Sequence, residues 1–142
     1  MTITKTLYID MDGVLVDLKS NLDKQGWHQN VFKDPPAITG AIEAFTKLCE
    51  SDKYDVYILS TAPWNIPNSW TQKRLWVSKY LGKKAYKRLI LCNHKNLLRG
   101  DYLIDDRTAN GAGEFQGELI QFGTEKFPNW EQTLKYLLNE KE

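Results

Sequence analysis

Cysteine is scarce in this chain of 142 residues, and several other features that would define a class of protein are missing. Cys49 and Cys92 lie far apart in apolar patterns, which excludes a disulfide framework and a cysteine metal cluster. Both are expected to be reduced core residues. No apolar run approaches the ~20 residues of a membrane span, and residues 1–6 lack the apolar region of a signal peptide. These absences predict a soluble, cytoplasmic protein with no membrane partner.

Net charge is also almost absent, because 19 basic residues oppose 18 acidic ones and leave a formal charge of +1. Such a balance gives no general attraction to a nucleic-acid polymer. Any anion must therefore be bound by a local group of residues. The length is that of one domain, and no repeat or linker divides the chain, so residues 1–142 are expected to form a single domain of undetermined oligomeric state.

Strand patterns alternate with helical ones along most of the chain, which favours an α/β fold with a mainly parallel, five-stranded sheet. The predicted strands are 6–9, 54–59, 88–92, 102–104 and 118–122. Apolar spacing predicts helices around 42–49, over 69–81 and over 130–138. The second of these helices has one expected buried stripe of residues at three- and four-residue spacing, namely Trp70, Arg74, Val77 and Leu81.

Two carboxylates end the first strand, where Asp10 and Asp12 are followed by Gly13 and later by Asp17. Carboxylates held this close repel each other unless a cation lies between them or one keeps its proton. A divalent metal with oxygen ligands, Mg²⁺ above all, answers that repulsion. The plainer alternative is a surface turn, in which Asp-x-Asp-Gly supplies only turn chemistry.

Polar residues also follow the other strands, and parallel α/β sheets bind ligands at the carboxyl ends of their strands. Each residue has a plain reading as a helix cap, a solvated lysine, a loop residue or a surface turn. Taken together, acids for a metal with hydroxyls and a lysine for an anion are the parts needed for phosphoryl transfer. The residues are Ser60 and Thr61, His94 and Lys95, and Asp105 and Asp106.

These motifs, in this order, resemble those of the haloacid-dehalogenase-like phosphatases. The stretches 10–17, 57–63 and 103–107, with Lys95 between the last two, are similar to the 5'(3')-deoxyribonucleotidase family. The resemblance covers nearly the whole chain except residues 18–39. It implies a three-layer Rossmann-like fold with strand order 5-4-1-2-3. It also implies a Mg²⁺-dependent phosphate-monoester hydrolase that dephosphorylates nucleoside monophosphates through an aspartyl-phosphate intermediate.

The resemblance also implies a role for each matching residue. Asp10 would be the nucleophile, and Asp12 the general acid and base. Ser60, Thr61 and Lys95 would bind the phosphate. Asp10, the backbone carbonyl of Asp12 and one or both of Asp105 and Asp106 would hold Mg²⁺, with Asp106 the favoured direct ligand.

Residues 18–39 stand where the family carries a cap that selects substrate, and here the cap is very short. Residues 18–25 could form two helical turns. Phe32 in the cap and Trp64 after the second strand are candidates for stacking on a base, since an aromatic face accepts any base. Packing of both side chains between cap and core is an equal alternative.

Only residues 93–100 separate the third and fourth strands, fewer than a parallel crossover usually needs. The strand order implied by the resemblance would carry this segment across the carboxyl edge of the sheet and place Lys95 over the site.

Two other functions use similar residues. A phosphorylation-dependent receiver domain has its acidic pair after the first strand and a lone acceptor Asp after the third, an order that this chain does not follow. A phosphatase of sugar or glycerol phosphates on the same fold is compatible with every motif. Phosphate release from a panel of substrates separates it from a nucleotidase.

Overall fold

The computed structural model describes residues 3–139, and its centre is one five-stranded parallel sheet in the order β3-β2-β1-β4-β5. All four pairings are parallel. The expected α/β class, strand order and strand number are therefore confirmed. The strands are β1 (Lys5–Ile9), β2 (Tyr54–Ser60), β3 (Leu89–Leu91), β4 (Tyr102–Asp105) and β5 (Glu118–Gln121). The helices are α1 (Leu18–Gln25), α2 (Ala41–Glu50), α3 (Pro67–Leu81) and α4 (Trp130–Leu138).

Both faces of the sheet are covered by other parts of the chain. This agrees with the near-continuous apolar runs of its strands, which are typical of strands buried on both sides. Helices α2, α3 and α4 all pack in the larger core, with Phe45, Trp76 and Trp130 among its residues. The opposite face has a smaller cluster around Tyr8 and Phe115. A short 3-10 turn at Lys95–Leu97 connects β3 to β4, and another at Ala112–Glu114 connects β4 to β5. The connections on this side are too short for a longer helix.

The predicted buried stripe of α3 is only partly correct. Val77 and Leu81 are buried, but Arg74 is exposed and Trp70 only half-buried. The buried positions are Ser69, Lys73, Trp76, Val77 and Leu81. Hydropathy misplaced the stripe because one of its members is a lysine, which an apolar pattern counts as solvent-facing.

Residues 18–39 lie against α3. Asn21 is buried and donates from Nδ2 to the carbonyl of Val31 at 2.9 Å. From α3, the Trp76 indole donates to the carbonyl of Pro35 at 2.8 Å, and Lys79 pairs with Asp34 at 2.8 Å. The short cap is thus fastened to the helix that follows β2.

Both cysteines are free and half-buried, and burial raises the pKa of Cys49 to about 11. Within residues 3–139, the structure has no helix with the length and apolar character needed to cross a bilayer. The described residues do not include 1–2 or 140–142. The predictions for the N-terminus and for the end of the domain fall partly on these positions.

Candidate active site

The candidate site lies at the carboxyl ends of β1, β2 and β4, which are neighbours in the sheet. Asp10 follows β1 directly, Ser60 is the last residue of β2, and Asp105 is the last residue of β4. The backbone N–H of Asp10 donates to the carbonyl of Ile104 at 2.9 Å and so keeps the two acidic strand ends in register. A cavity of about 20 Å³ lies between these ends, enough for one small ion or water. Its lining residues are Asp10, Asp12, Thr61, Lys95, Asp105, Arg107, Ala109 and Asn110.

Lys95 joins the first and the last acidic motif. Its ammonium lies 3.0 Å from Asp10 Oδ1 and 2.6 Å from Asp105 Oδ2, and the residue is only 3% exposed. The 3-10 turn at Lys95–Leu97 carries it across the edge of the sheet, as the short connection predicts. Burial nevertheless raises the pKa of Asp10 well above its usual value, with Lys95 opposing that shift. The positive charge of Lys95 is therefore too small to cancel the effect of burial on the pKa of Asp10.

Lys73 forms a second buried ion pair, which the sequence did not suggest. It is 1% exposed, and its ammonium donates to Asp12 Oδ2 at 2.6 Å and to Ser60 Oγ at 2.9 Å. Its charge also lies 4.8 Å from the centre of the Phe32 ring. The sequence holds one indirect signal. Lys73 lies four residues from both Ser69 and Val77, so it shares their buried face of α3, but the predicted stripe did not include Ser69.

Asp106 packs against the turn that follows Asp12. Gly13 has φ +84°, and a Cβ built there would overlap the Asp106 carboxylate. Only glycine combines this backbone conformation with so close an approach. Burial raises the pKa of Asp106, and the neighbouring charge of Asp105 adds to the shift.

The residues fit a divalent cation. Oxygens of Asp10, Asp105 and Asp106 lie within 4.8 Å of one another. Among the described residues, Asp12 Oδ1 and Asp106 Oδ1 are buried without a hydrogen-bond partner. Buried polar oxygens without partners are costly, and a cation within this cluster would satisfy the oxygen of Asp106. When ionised, the four carboxylates of the site carry two more negative charges than the buried ammonium groups of Lys73 and Lys95 can balance. A divalent cation would supply the two missing positive charges.

The two hydroxyls after β2 differ in their partners. Ser60 Oγ accepts from Lys73, and since an ammonium only donates, the Ser60 proton is left for another acceptor. Thr61 Oγ1 donates to the carbonyl of Cys92 at 2.9 Å. The Thr61 hydroxyl proton is therefore used in a hydrogen bond to the residue after β3, although Thr61 lines the cavity.

The two candidate base-stacking residues have different surroundings. Phe32 is 3% exposed and packs with Leu18 and Val31 in the cap, so its ring presents little surface to a ligand. Trp64 is 77% exposed. It lines a cleft of about 500 Å³ together with Trp27 of the cap, which is 65% exposed. Trp27 is the aromatic residue that sequence reasoning did not assign to this role.

Asp17, the last acid of the first motif, has a structural task. Its carboxylate caps α1 by accepting from the backbone N–H of Ser20 at 3.1 Å and from its hydroxyl at 2.8 Å. It begins the cap helix, and it does not line the acidic cavity.

Acidic pairs after β1 and β4, a lysine brought over them, and the strand order 5-4-1-2-3 together define a haloacid-dehalogenase-like phosphatase. Comparison with known families agrees, because the family model described as "5' nucleotidase, deoxy (Pyrimidine), cytosolic type C protein" matches residues 24–133. The chain belongs to this 5'-nucleotidase family, whose members are phosphomonoester hydrolases.

Similar curated proteins carry related names. A putative 5'(3')-deoxyribonucleotidase of Vibrio phage KVP40 is 53% identical over 146 residues, which cover 94% of this chain and 85% of the relative. The 5'(3')-deoxyribonucleotidase of Bacillus subtilis is 29% identical over 118 residues, covering 77% and 66%. A putative 5'(3')-deoxyribonucleotidase of Bordetella bronchiseptica is 45% identical over 75 residues, covering 53% of this chain and 40% of its own.

Proposed function

We propose that this protein hydrolyses deoxynucleoside monophosphates through a phosphoryl group carried on Asp10, with Mg²⁺ as its cofactor. The observation that carries the proposal is the placement of Asp10, which is buried directly after β1 and accepts a hydrogen bond from Lys95. Two residues further on, Asp12 is joined through Lys73 to Ser60. The names of the similar proteins support a nucleotide as substrate.

In the first step a carboxylate oxygen of Asp10 attacks phosphorus, and the bond from phosphorus to the ester oxygen breaks. Asp12 enters this step protonated on Oδ1, the oxygen that Lys73 does not hold, and gives that proton to the leaving oxygen. In the second step Asp12 takes a proton from water, whose oxygen attacks phosphorus and releases phosphate and free Asp10. Two displacements on a carboxylate nucleophile replace one more difficult displacement.

Lys95 and Ser60 supply the groups that hold the transferring oxygens. Lys95 offers a positive charge beside Asp10, and Ser60 offers the proton that its bond from Lys73 leaves free. Lys73 also fixes the Asp12 carboxylate through one oxygen. Because these groups are held before the substrate arrives, they need little rearrangement during the reaction.

Mg²⁺ would be held by Asp10, the backbone carbonyl of Asp12 and Asp106. Asp105 is the weaker candidate, because Lys95 and the N–H of Arg107 already occupy its two oxygens, whereas Asp106 Oδ1 has no partner. When bound, the ion offsets the repulsion between the anionic nucleophile and the phosphate.

The base would lie in the cleft between Trp27 and Trp64, both largely exposed. The cleft is built from the cap and from residues 63–66, which follow closely after Ser60, the hydroxyl proposed to bind the phosphate. Stacking on an indole is tolerant of base identity, and base preference should be weak.

The test is phosphate release by purified protein with Mg²⁺ from deoxynucleotides, ribonucleotides and sugar phosphates. Deoxynucleotides should be the better substrates, and Asp10→Asn should reduce kcat by at least about 10³-fold while the variant still unfolds in one cooperative thermal transition. Asp23→Asn, an exposed carboxylate on α1, is the matched control and should keep full activity. An active Asp10→Asn enzyme would sink the nucleophile assignment, and equal rates on sugar phosphates would leave a general phosphatase.

The cleft is tested by Trp64→Ala. Stacking contributes about 1–3 kcal/mol per base, so kcat/KM for nucleotides should fall about five- to hundredfold. Hydrolysis of p-nitrophenyl phosphate, which has no base, should hardly change. Trp64→Phe retains an aromatic face and should restore most of the nucleotide rate. If Trp64→Ala loses both activities alike, Trp64 only packs the loop.

A further inference from the structure

Charge is unevenly distributed along this nearly neutral chain. Residues 56–100 contain nine lysines and arginines and no aspartate or glutamate. Five of these cations are paired with carboxylates from elsewhere in the fold, namely Lys73, Lys79, Lys84, Arg88 and Lys95. Within residues 3–139, the other four have no carboxylate partner at ion-pair distance. They are Arg99, which lies outside the groove described next, and three exposed cations, Arg74, Lys83 and Lys87.

These three cations line a single groove. It has a volume of about 890 Å³ and runs between α3 and the edge strand β3. Its floor is apolar, and no described aspartate or glutamate lines it. The floor and remaining walls are formed by Trp70, Val77, Ser78, Gly82, Ala85, Tyr86, Leu89 and Leu91. The groove is separate from the acidic cavity and shares no residue with it.

Two aromatic rings accompany the cations, one exposed and one half-buried. Tyr86 is 70% exposed, and the Lys87 ammonium lies 5.3 Å from the centre of its ring. Trp70 contacts Trp64 edge to face, with ring centres 6.5 Å apart. Since Trp64 also lines the cleft beside the cap, aromatic surface continues from the groove towards the active site.

We propose that this groove binds a single-stranded oligodeoxynucleotide, with its phosphates on Arg74, Lys83 and Lys87 and its bases on Tyr86 and Trp70. Unpaired cations beside aromatic faces are the combination that recognises single strands without regard to sequence. An acidic peptide would use the charges but has no need of the aromatic rings. The volume is at the upper end of what one small ligand occupies, which suits several linked nucleotides.

Binding is measured by fluorescence anisotropy with a labelled ten-residue oligothymidylate that carries no terminal phosphate, in EDTA. These conditions remove any contribution of phosphate binding at the catalytic site. Three phosphate contacts predict a slope of about −0.7 × 3 in log affinity against log salt. Affinity should therefore fall about 20-fold between 50 and 200 mM salt.

The variant Arg74→Glu/Lys83→Glu/Lys87→Glu should bind at least tenfold more weakly and show almost no salt dependence. Its matched control changes the net charge equally at exposed lysines away from the groove, Lys24→Glu/Lys47→Glu/Lys126→Glu, and should bind within about twofold of the wild type. Tyr86→Ala should weaken binding about fivefold or more while keeping the salt slope. Thermal unfolding of each variant checks its fold.

Equal losses in the two triple variants would overturn the proposal, because binding would then reflect net charge alone. Tight binding of a labelled polyglutamate peptide with none of the oligonucleotide would overturn it in favour of an acidic protein partner. Asp10→Asn should bind the oligonucleotide like the wild type. The groove and the nucleotidase proposal can therefore fail separately, since this assay involves no catalysis.

Discussion

At the scale of single residues, Lys73 determines how the polar groups of the site are arranged. A buried ammonium has three protons to donate and accepts none. Its bonds to Asp12 and Ser60 therefore fix one oxygen of the acid and the direction of the hydroxyl. The side chain is 1% exposed, whereas that of Asp12 is 25% exposed. Lys73 therefore lies on the buried side of this ion pair, and Asp12 lies on the solvent side.

Replacing Lys73 by methionine keeps much of its shape and removes its charge. The loss of two buried hydrogen bonds should lower the free energy of unfolding by about 1–3 kcal/mol. Because the Ser60 proton and the Asp12 carboxylate lose their orientation, kcat should fall about 10²-fold. Urea unfolding and phosphate release measure the two effects.

Lys79→Met is the control for this change. Lys79 lies on the same helix and pairs with Asp34, but both side chains are more than half exposed. Its replacement should leave kcat unchanged. If both variants lose activity equally, the loss belongs to α3 as a whole and Lys73 has no particular role.

The difference between Lys95 and Lys73 shows what the sequence could predict at this scale. Lys95 follows a strand in a connection too short to go elsewhere, so its position follows from chain length and strand order. Lys73 lies in the middle of a helix, and only its two long-range partners explain its burial. Those partners are 61 and 13 residues away along the chain, and no local pattern records them.

At the scale of elements, the connection from β4 to β5 supports the turn that carries Lys95. The backbone N–H of Lys95 donates to the carbonyl of Asn110 at 2.7 Å. Gly111 follows with φ +83°, and a Cβ there would lie 2.8 Å from the Asn96 nitrogen and 2.9 Å from that of Lys95. The two segments can approach this closely only because the residue has no side chain.

Gly111→Ala should therefore displace the turn and lower both stability and kcat. Gly123→Ala is a matched control, because Gly123 has φ +89° and no atom within 4 Å of an added Cβ. It should show only the backbone strain of about 1–2 kcal/mol and retain its activity. Urea unfolding with phosphate release distinguishes the two variants. Equal activity in both would mean that the Lys95 turn tolerates displacement.

Elements were more predictable than their contacts. The bounds of α1 and α4 agree with the sequence, and each predicted strand lies within about two residues of the observed one, because apolar periodicity and caps are local signals. Asn129, for example, precedes α4 and caps it through the N–H of Gln132 at 2.9 Å. The fastening of the cap to α3 depends instead on pairs such as Asp34 and Lys79, which have ordinary surface identities.

At the scale of the whole molecule, the fold brings together acids that are far apart in the sequence, Asp10 and Asp12 with Asp105 and Asp106, and their repulsion opposes folding. Burial raises the pKa values of Asp10 and Asp106, because removal from water disfavours the charged form, and the neighbouring charge of Asp105 raises both further. A bound divalent cation should therefore stabilise the native state as well as support activity.

EDTA should abolish phosphatase activity, and Mg²⁺ should restore it and raise the unfolding temperature. Ca²⁺ should restore little activity, because its larger and looser coordination misplaces nucleophile and phosphate. Asp106→Asn should weaken activation by Mg²⁺ more than Asp105→Asn does, as titrations of rate against Mg²⁺ would measure. Full activity in EDTA contradicts the metal site, and the reverse order of the two variants would make Asp105 the direct ligand.

Helix α3 has a consequence for motion. It inserts Lys73 into the site, and a few residues along it Trp76 and Lys79 bind the cap segment at Pro35 and Asp34. The cap and the acidic site are therefore both attached to α3, so movement of one relative to the other is restricted. A swinging lid would have to break these bonds or carry Lys73 away from Asp12. Turnover should accordingly proceed without a closing movement, and its rate should be insensitive to solvent viscosity as long as the chemical step limits it.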